Sequence, residues 1–328
     1  LGHKKEYLPL QHGFDYYFGI PYSNDMDKIN GETCCPGSQY WQKYDSKRPK
    51  STNYNVPLIE NNKIIERPVD QTTITKRFSD KAVEFIKENK DDSFFIYLAH
   101  NLPHTPLYAS DEFLGKSKRG LYGDVIQEID YGIGLIIEEL KKHKLDKNTI
   151  IIFTTDHGDF MGDHQLLLKG ALHYQGLIRV PFIISDPNNN SAPTATSNFS
   201  GTIDVAGTIL ELAGINQFNG MQSKSLRRIA EGRELRAAML IEESQRRGYM
   251  GLKDNFRART VLYEDWRLTL YSGVEWGEIY NLKDDPNEFD NLWDDPSNAK
   301  IRADLLEVLI RESMDMGENS PVATTHGP

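Results

Sequence analysis

Cysteine is nearly absent from this chain: two residues in 328, adjacent at Cys34 and Cys35. Neighbours in sequence can staple nothing distant and cannot fill a Cys-rich metal site, so a disulfide framework and a thiolate-bound zinc module are excluded. Long apolar runs are lacking too. No stretch approaches the ~20 residues a membrane-spanning helix needs, and no secretory leader is legible. Positive charge is not in excess either. With 38 Lys and Arg against 48 Asp and Glu, the formal net charge is −10, which argues against nucleic acid or an anionic membrane as partner. A small cationic pocket for an anion remains compatible with an acidic shell. Internal repeats and low-complexity tracts are absent. What is there, 38% hydrophobic and 26% charged residues, suits a globular chain of one large domain with or without an appendage. The first residues are Leu1-Gly2 rather than Met, so a segment upstream is expected. Sequons at Asn189 and Asn198 fall in a Ser/Asn-rich loop and read as chance matches.

Residues 1–70 are rich in Tyr, Asn, Gly, Pro and Lys with little periodicity, the pattern of long loops around short elements. Helical spacing is clear over 74–90, where Phe78, Ala82, Phe85 and Ile86 share a face. It recurs over 122–142 through Val125, Ile129, Ile133, Ile136 and Leu140. Strands are expected at 93–99 ("SFFIYLA"), 149–155 ("TIIIFTT") and 180–185 ("VPFIIS"). The second is a continuous β-branched and aromatic run of the kind buried on both faces of a parallel sheet. Strand, loop, helix, strand in that order predicts a βαβ unit. A helix at 203–213 follows. Beyond about residue 230, alternation over 259–273 predicts antiparallel strands and 298–314 a helix. The predicted fold is therefore α/β, a largely parallel sheet flanked by helices, with a small C-terminal α+β subdomain. Residues 1–230 form the core and 231–328 the subdomain.

In open α/β sheets, ligands bind beyond the carboxyl ends of the strands. Asp156-His157 lies there after "TIIIFTT", and the loop from His100 to His104 lies there after "SFFIYLA". A carboxylate oxygen and a neutral imidazole nitrogen on adjacent residues of a turn can reach one divalent cation. The same dipeptide also suits a turn that caps a helix. Its surroundings favour a site. Gly158 and Gly162 permit close backbone approach, Asp163-His164 repeats the acid–imidazole pairing, and Lys169 offers a compact cation to an anion beside the metal.

The run "FTTDHGDFMGDHQLLLKGALHYQGLIRVPFII" resembles the second half of the sulfatase core, within the alkaline-phosphatase-like superfamily. Three other stretches resemble the same family. They are "LGHKKEYLPLQHGFDYYFGIPYSND", the segment after a Lys-x-His-Leu-Gly motif; "PHTPLYASDEFLG", the substrate-histidine loop; and "GEIYNLKDDPNEFDNLW", the C-terminal subdomain. The resemblance implies sulfuric ester hydrolysis, on a small-molecule or sugar sulfate ester, at a Ca²⁺-type site that could also take Mg²⁺ or Mn²⁺. It implies that Asp156 and His157 are metal ligands. It implies that Lys169 contacts the ester bridge and sulfate, and that His104 contacts sulfate and protonates the leaving alcohol, a task suited to imidazole. Ser23 matches a position that touches substrate. Many members have Asn where this chain has His157; a His there occurs in phosphonate monoester hydrolases and choline-sulfatase-like members.

Departures from the family pattern are informative. The Cys-x-Pro-x-Arg or Ser-x-Pro-x-Arg motif, whose first residue becomes formylglycine, occurs nowhere in the sequence. Cys34-Cys35-Pro36-Gly37-Ser38 mimics it but carries Ser38 in place of Arg and lies downstream of the Leu-Gly segment, so it is not read as the nucleophile. The two adjacent Asp ligands that family members carry near the N-terminus are also absent. Residues up to about 150 look like the arylsulfatase and galactosamine-6-sulfatase branch, and those from 156 onward like the choline-sulfatase and phosphonate-hydrolase branch. Three functions remain open at this point: a sulfatase core, incomplete as it stands; a phosphate or phosphonate monoester hydrolase; or a non-catalytic chain that binds a cation and an oxyanion. Family members are often exported, and the sequence sets neither location nor oligomeric state.

Overall fold

In the computed structural model, residues 2–27, 53–188, 195–246, 248 and 251–318 are described. Cys34, Cys35 and Asn189 lie outside them. The chain divides into two compact units, Leu1–Thr149 and Ile150–Pro328.

The first unit opens with 3₁₀ turns and a small antiparallel sheet in the order β1 (Phe18–Gly19), β2 (Leu58–Glu60), β3 (Lys63–Glu66). Phe18 pairs with Glu60 and Ile59 with Ile64. The Asp70 carboxylate accepts from the Thr72 N–H at 3.1 Å, satisfying a donor in the 3₁₀ turn that leads into helix α1 (Ile74–Glu88). Ile74, Phe78, Ala82 and Ile86 recur every fourth residue, so they form one buried stripe. With Val56, Leu58 and Val69, Ile74 and Phe78 make a core against which Leu98 packs. Each fully buried side chain of this size stabilises the fold by about 1.5–3 kcal/mol. Asn89 ends the helix, its amide donating to the Phe85 carbonyl at 2.8 Å. Helix α2 (Gly120–Lys142) crosses α1 closely. A Cβ at Gly132 would sit 2.1 Å from Ser79 Oγ, so only glycine permits that approach.

Residues 93–99 depart from expectation. Their exposure alternates residue by residue as a strand's does, with Leu98 inward and Phe95 and Tyr97 outward, 54% and 75% exposed. Yet no ladder partner stands beside them among the described residues. Alternation and β propensity encode which side faces a core; they do not supply the neighbouring strand that completes the hydrogen bonds.

In the second unit, β4 (Ile151–Phe153) pairs with β5 (Ile183–Ser185). The pairing is antiparallel, Ile152 opposite Ile184, and all sheet pairings among the described residues are antiparallel. The parallel partner expected for 149–155 is not beside it, and Phe153 is 40% exposed. A continuous apolar run signals burial on two faces but carries no information on strand direction.

Between these strands lies the short helix α3 (Gln175–Ile178), followed after β5 by α4 (Ile203–Leu212) and α5 (Leu226–Ala230). Buried Asp204 in the first turn of α4 pairs with buried Arg236 at 2.6 Å and accepts from the Lys224 and Gly201 N–H groups, which fastens the segment before the last sheet. That sheet is a four-stranded meander, β6 (Ala238–Ser244), β7 (Arg257–Tyr263), β8 (Trp266–Tyr271) and β9 (Gly277–Asn281). Its alternation follows the sequence pattern, with Val261 opposite Leu268 and Leu268 opposite Ile279. These residues and Ala238 pack against Leu305 and Leu309 of helix α6 (Ala299–Glu318). None of the described helices is long and apolar enough to cross a membrane.

Candidate active site

The loop from Asp156 to Lys169 is built on close backbone contacts. The Gly158 N–H donates to the Leu177 carbonyl at 2.7 Å, and a Cβ at Gly158 would lie 2.0 Å from the Gly176 carbonyl oxygen. Glycine is therefore required where the loop meets α3. Phe160 is fully buried against Leu172, Leu177 and Phe256, and its N–H donates to the Leu168 carbonyl at 2.9 Å. Between those anchors the backbone is strained: Met161, His164, Gln165 and Leu168 all have positive φ. Each such residue costs about 1–3 kcal/mol, a strain that concentrates at functional sites.

Three predicted residues meet on this loop. His157 Nδ1 lies 2.7 Å from the Gly158 carbonyl. A carbonyl only accepts, so Nδ1 carries a proton, and the Lys169 ammonium beside Nε2, which can only donate, makes that nitrogen the acceptor. Lys169 Nζ lies 3.1 Å from that Nε2, its ammonium donating to the lone pair. Asp156 Oδ2 is 3.4 Å from the same nitrogen, on a side chain 82% exposed. The other oxygen of Asp156, Oδ1, accepts from the His157 N–H at 3.0 Å and the Thr155 hydroxyl at 3.2 Å. Loss of hydration at the turn works to raise the Asp156 carboxyl; the His157 imidazole, the His157 N–H and the Thr155 hydroxyl outweigh it and hold it below its ordinary value. Oδ2 and Nε2 are thus two convergent donors at a spacing that one divalent cation can bridge, with the imidazole tautomer fixed by a carbonyl behind it. They fit as two ligands of a divalent cation, short of a full shell. No cluster of three or more His, Cys, Asp or Glu with metal-binding geometry occurs among the described residues.

Asp163-His164 does not form a second ligand pair. The His164 ring stacks on Tyr174 at 3.7 Å between centroids and 9° between planes, and Asp163 fills the space beside Gly176.

Ser23 and His104 meet in the other unit, Ser23 Oγ 3.4 Å from His104 Nδ1. The Ser23 hydroxyl donates to Asp25 at 2.7 Å. His104 Nδ1 is 2.6 Å from the Thr105 carbonyl, so here too Nδ1 holds a proton and Nε2 is the free nitrogen. Two residues that sequence reasoning passed over make this arrangement. Fully buried Asn24 donates to Gln71 Oε1 at 3.0 Å and to the Pro106 carbonyl at 2.9 Å, while buried Gln71 returns a bond to the Asn24 carbonyl at 2.9 Å. Together they lock "YSND" to the "PHTP" loop. A buried amide pair leaves no periodic signature, so nothing in the pattern marks it. Asn198, one of the two sequon residues, has its side-chain nitrogen engaged with the Ile229 carbonyl at 3.1 Å.

The family model described as Sulfatase matches residues 3–215, and the model for the C-terminal part of N-sulphoglucosamine sulphohydrolase matches 162–315. The chain belongs to the sulfatase family. The human (Homo sapiens) N-acetylgalactosamine-6-sulfatase is 32% identical over 234 residues, 66% of this chain and 41% of that relative. An arylsulfatase of Hemicentrotus pulcherrimus is 30% identical over 216 residues, 63% of this chain and 37% of the relative. The chain thus spans about two fifths of the length of the curated relatives it matches. Among solved structures, a protein in complex with its substrate D-glucosamine-2-N,6-O-disulfate superposes with a TM-score of 0.72 at 18% identity, covering 94% of this chain and 78% of the other. A sulfatase from Pseudoalteromonas sp. gives 0.67 at 18% identity, covering 96% and 69%. The fold is accordingly of the alkaline-phosphatase-like α/β class.

Proposed function

We propose that this chain carries part of the active site of a sulfuric ester hydrolase acting on a sugar or small-molecule sulfate. Sulfatases as a family use a metal ion and a formylglycine residue. In this reading Asp156 Oδ2 and His157 Nε2 hold a divalent cation, Ca²⁺ first and Mg²⁺ or Mn²⁺ as substitutes, which supplies Lewis-acid stabilisation of charge on the sulfuryl oxygens. Lys169, whose ammonium lies 3.1 Å from that nitrogen, would offer its charge to the substrate's oxyanion. His104 protonates the leaving alcohol from Nε2, while the Thr105 carbonyl, 2.6 Å from its Nδ1, fixes the orientation of the ring. Ser23, beside that imidazole, contacts the substrate. The formylglycine motif is absent from the sequence. Residues 1–230 are the catalytic portion in this division and 231–328 its C-terminal subdomain.

The observation that carries the reading is the meeting of Asp156, His157 and Lys169 around one nitrogen. With one carboxylate and one imidazole against the 6–8 oxygen-rich ligands Ca²⁺ usually takes, the chain should bind the ion weakly. Lacking a positioned nucleophile, it should hydrolyse an aryl sulfate negligibly above background. The test is turnover of aryl sulfate and aryl phosphate, for the chain alone and extended by a segment carrying the matured motif. The extended chain should cleave sulfate, and Lys169→Ala or His104→Ala should remove that activity. Ca²⁺-dependent turnover by the 328-residue chain alone would refute the assignment, and preferential cleavage of phosphate would transfer it to phosphomonoesters.

A further inference from the structure

The segment that receives the site loop is gripped by a buried charge cluster formed by the last sheet and the turn that follows it. Arg267 on β8 is fully buried, with Nε 2.5 Å from Glu288 Oε1 and Nη1 3.1 Å from Glu278 Oε2. Three consecutive residues ahead of and within α3 attach to this cluster. Glu288 Oε2 accepts from the Gln175 N–H at 2.6 Å, capping α3 from a distant part of the chain. The Tyr174 hydroxyl donates to Glu278 Oε1 at 2.9 Å. His173 Nδ1 lies 2.7 Å from Thr260 Oγ1, which is 2.7 Å from Thr269 Oγ1, the acceptor of Arg267 Nη1 at 2.7 Å. The Tyr174 ring also stands between the stacked His164 ring and the Arg267 guanidinium, 5.2 Å from its centroid, and the guanidinium lies 4.7 Å from the Tyr280 centroid. The next two residues, Gly176 and Leu177, are the ones Gly158 meets.

A single rigid path therefore runs from Arg267 through residues 173–177 to the backbone that carries Asp156 and His157. We propose that Arg267 and Glu288 are positioning residues for the Asp156–His157–Lys169 site. A charge cluster of this kind is costly to bury and unnecessary for merely filling a core. Here its two carboxylates between them take the N–H and hydroxyl of adjacent residues, fixing where α3 presents Leu177. The proposal rests on the reading of those three residues as the site.

The experiment uses the full chain labelled with ¹⁵N. It compares Glu288→Gln, which keeps an acceptor for Gln175, with Glu288→Ala, which keeps none, and with Tyr174→Phe. Leu305→Ala, in the core under α6, serves as a control of lowered stability. Two readouts are taken: hydrogen exchange of the Gly158 amide, and the ¹⁵N shifts of the His157 ring, which report the Gly158 and Lys169 bonds. Glu288→Ala should speed Gly158 exchange by about tenfold, the scale of one lost hydrogen bond, and shift the His157 nitrogens; Glu288→Gln should do less. Leu305→Ala should leave the His157 shifts in place. Unchanged His157 shifts in both folded Glu288 variants overturn the proposal. Should Glu288→Ala fail to fold, Glu288→Gln and Tyr174→Phe decide the same question, and His157 shifts unmoved in both of them overturn it. A Ca²⁺ titration of the unaltered chain judges the functional reading separately. Absence of binding there removes the metal assignment and leaves the exchange result to decide positioning.

Discussion

Replacing His173 by glutamine should flatten the acid side of the stability profile of the second unit. His173 is 3% exposed, and burial, reinforced by the positive charge of Arg267, lowers its pKa from 6.5 to about 4. The hydrogen bonds agree with a neutral ring. Arg267 can only donate, and the relay Arg267 to Thr269 to Thr260 to His173 places every hydroxyl proton if Nδ1 accepts. The reverse direction leaves the Thr269 proton without a partner. As pH falls below 6.5, the unfolded chain takes up a proton that the folded chain refuses until about 4. Stability therefore declines through that window and levels off beneath it. The whole loss is about 3 kcal/mol, and between about pH 7.5 and about pH 5 it is about 2 kcal/mol. Three of the four tryptophans, Trp266, Trp276 and Trp293, belong to the second unit, so urea unfolding followed by tryptophan fluorescence reads it directly. The unaltered chain should lose about 2 kcal/mol more than His173→Gln over that pH interval. His100, lowered to about 4 by burial in the first unit, is common to both chains and cancels. Equal slopes would show that His173 is not held neutral by its surroundings.

Gly158→Ala should cost about 3 kcal/mol in the same urea experiment, because the new methyl would press on the Gly176 carbonyl and force the backbones apart; a loss below about 1 kcal/mol would mean the loop and α3 yield freely. Asp156→Asn should weaken Ca²⁺ binding, measured calorimetrically, by about tenfold or more, since a charged oxygen donor is exchanged for a neutral one; unchanged affinity would place the cation elsewhere. The chain should also bind an apolar fluorescent dye at neutral pH through the outward face of 93–99, and Phe95→Lys with Tyr97→Lys should remove much of that signal. A dye signal untouched by the double substitution would locate the apolar surface elsewhere.

Elements that depend on local spacing are readable from the sequence. The stripe Ile74, Phe78, Ala82, Ile86 and the alternation along β7 and β8 each carry their own period, so α1 and the last sheet follow from it. Asp156, His157 and Lys169 come together because one loop holds all three, closed by the Phe160–Leu168 bond. What pairs across long distances is not readable. The apolar run at β4 gives no sign that its neighbour is the antiparallel β5, and 93–99 has a strand's alternation without a strand's partner among the described residues. The buried polar groups are the harder loss. Asn24 and Gln71, or Arg267 and Glu288, look in sequence like ordinary surface residues, because the pattern of polarity assumes that charge faces water. Only the fold reveals that each is paired with the other.

The attachment of His173, Tyr174 and Gln175 to the last sheet bears on how such chains can recombine. A crossover between two relatives placed in the loops between residue 178 and β6 would look harmless, since it cuts no helix or strand. It would nonetheless separate Gln175 from Glu288, Tyr174 from Glu278 and His173 from Thr260, handing one parent's ion cluster to the other parent's loop. Viable chimeras should therefore inherit residues 173–177 and the terminal sheet from the same parent, so that the heritable module is discontinuous in sequence.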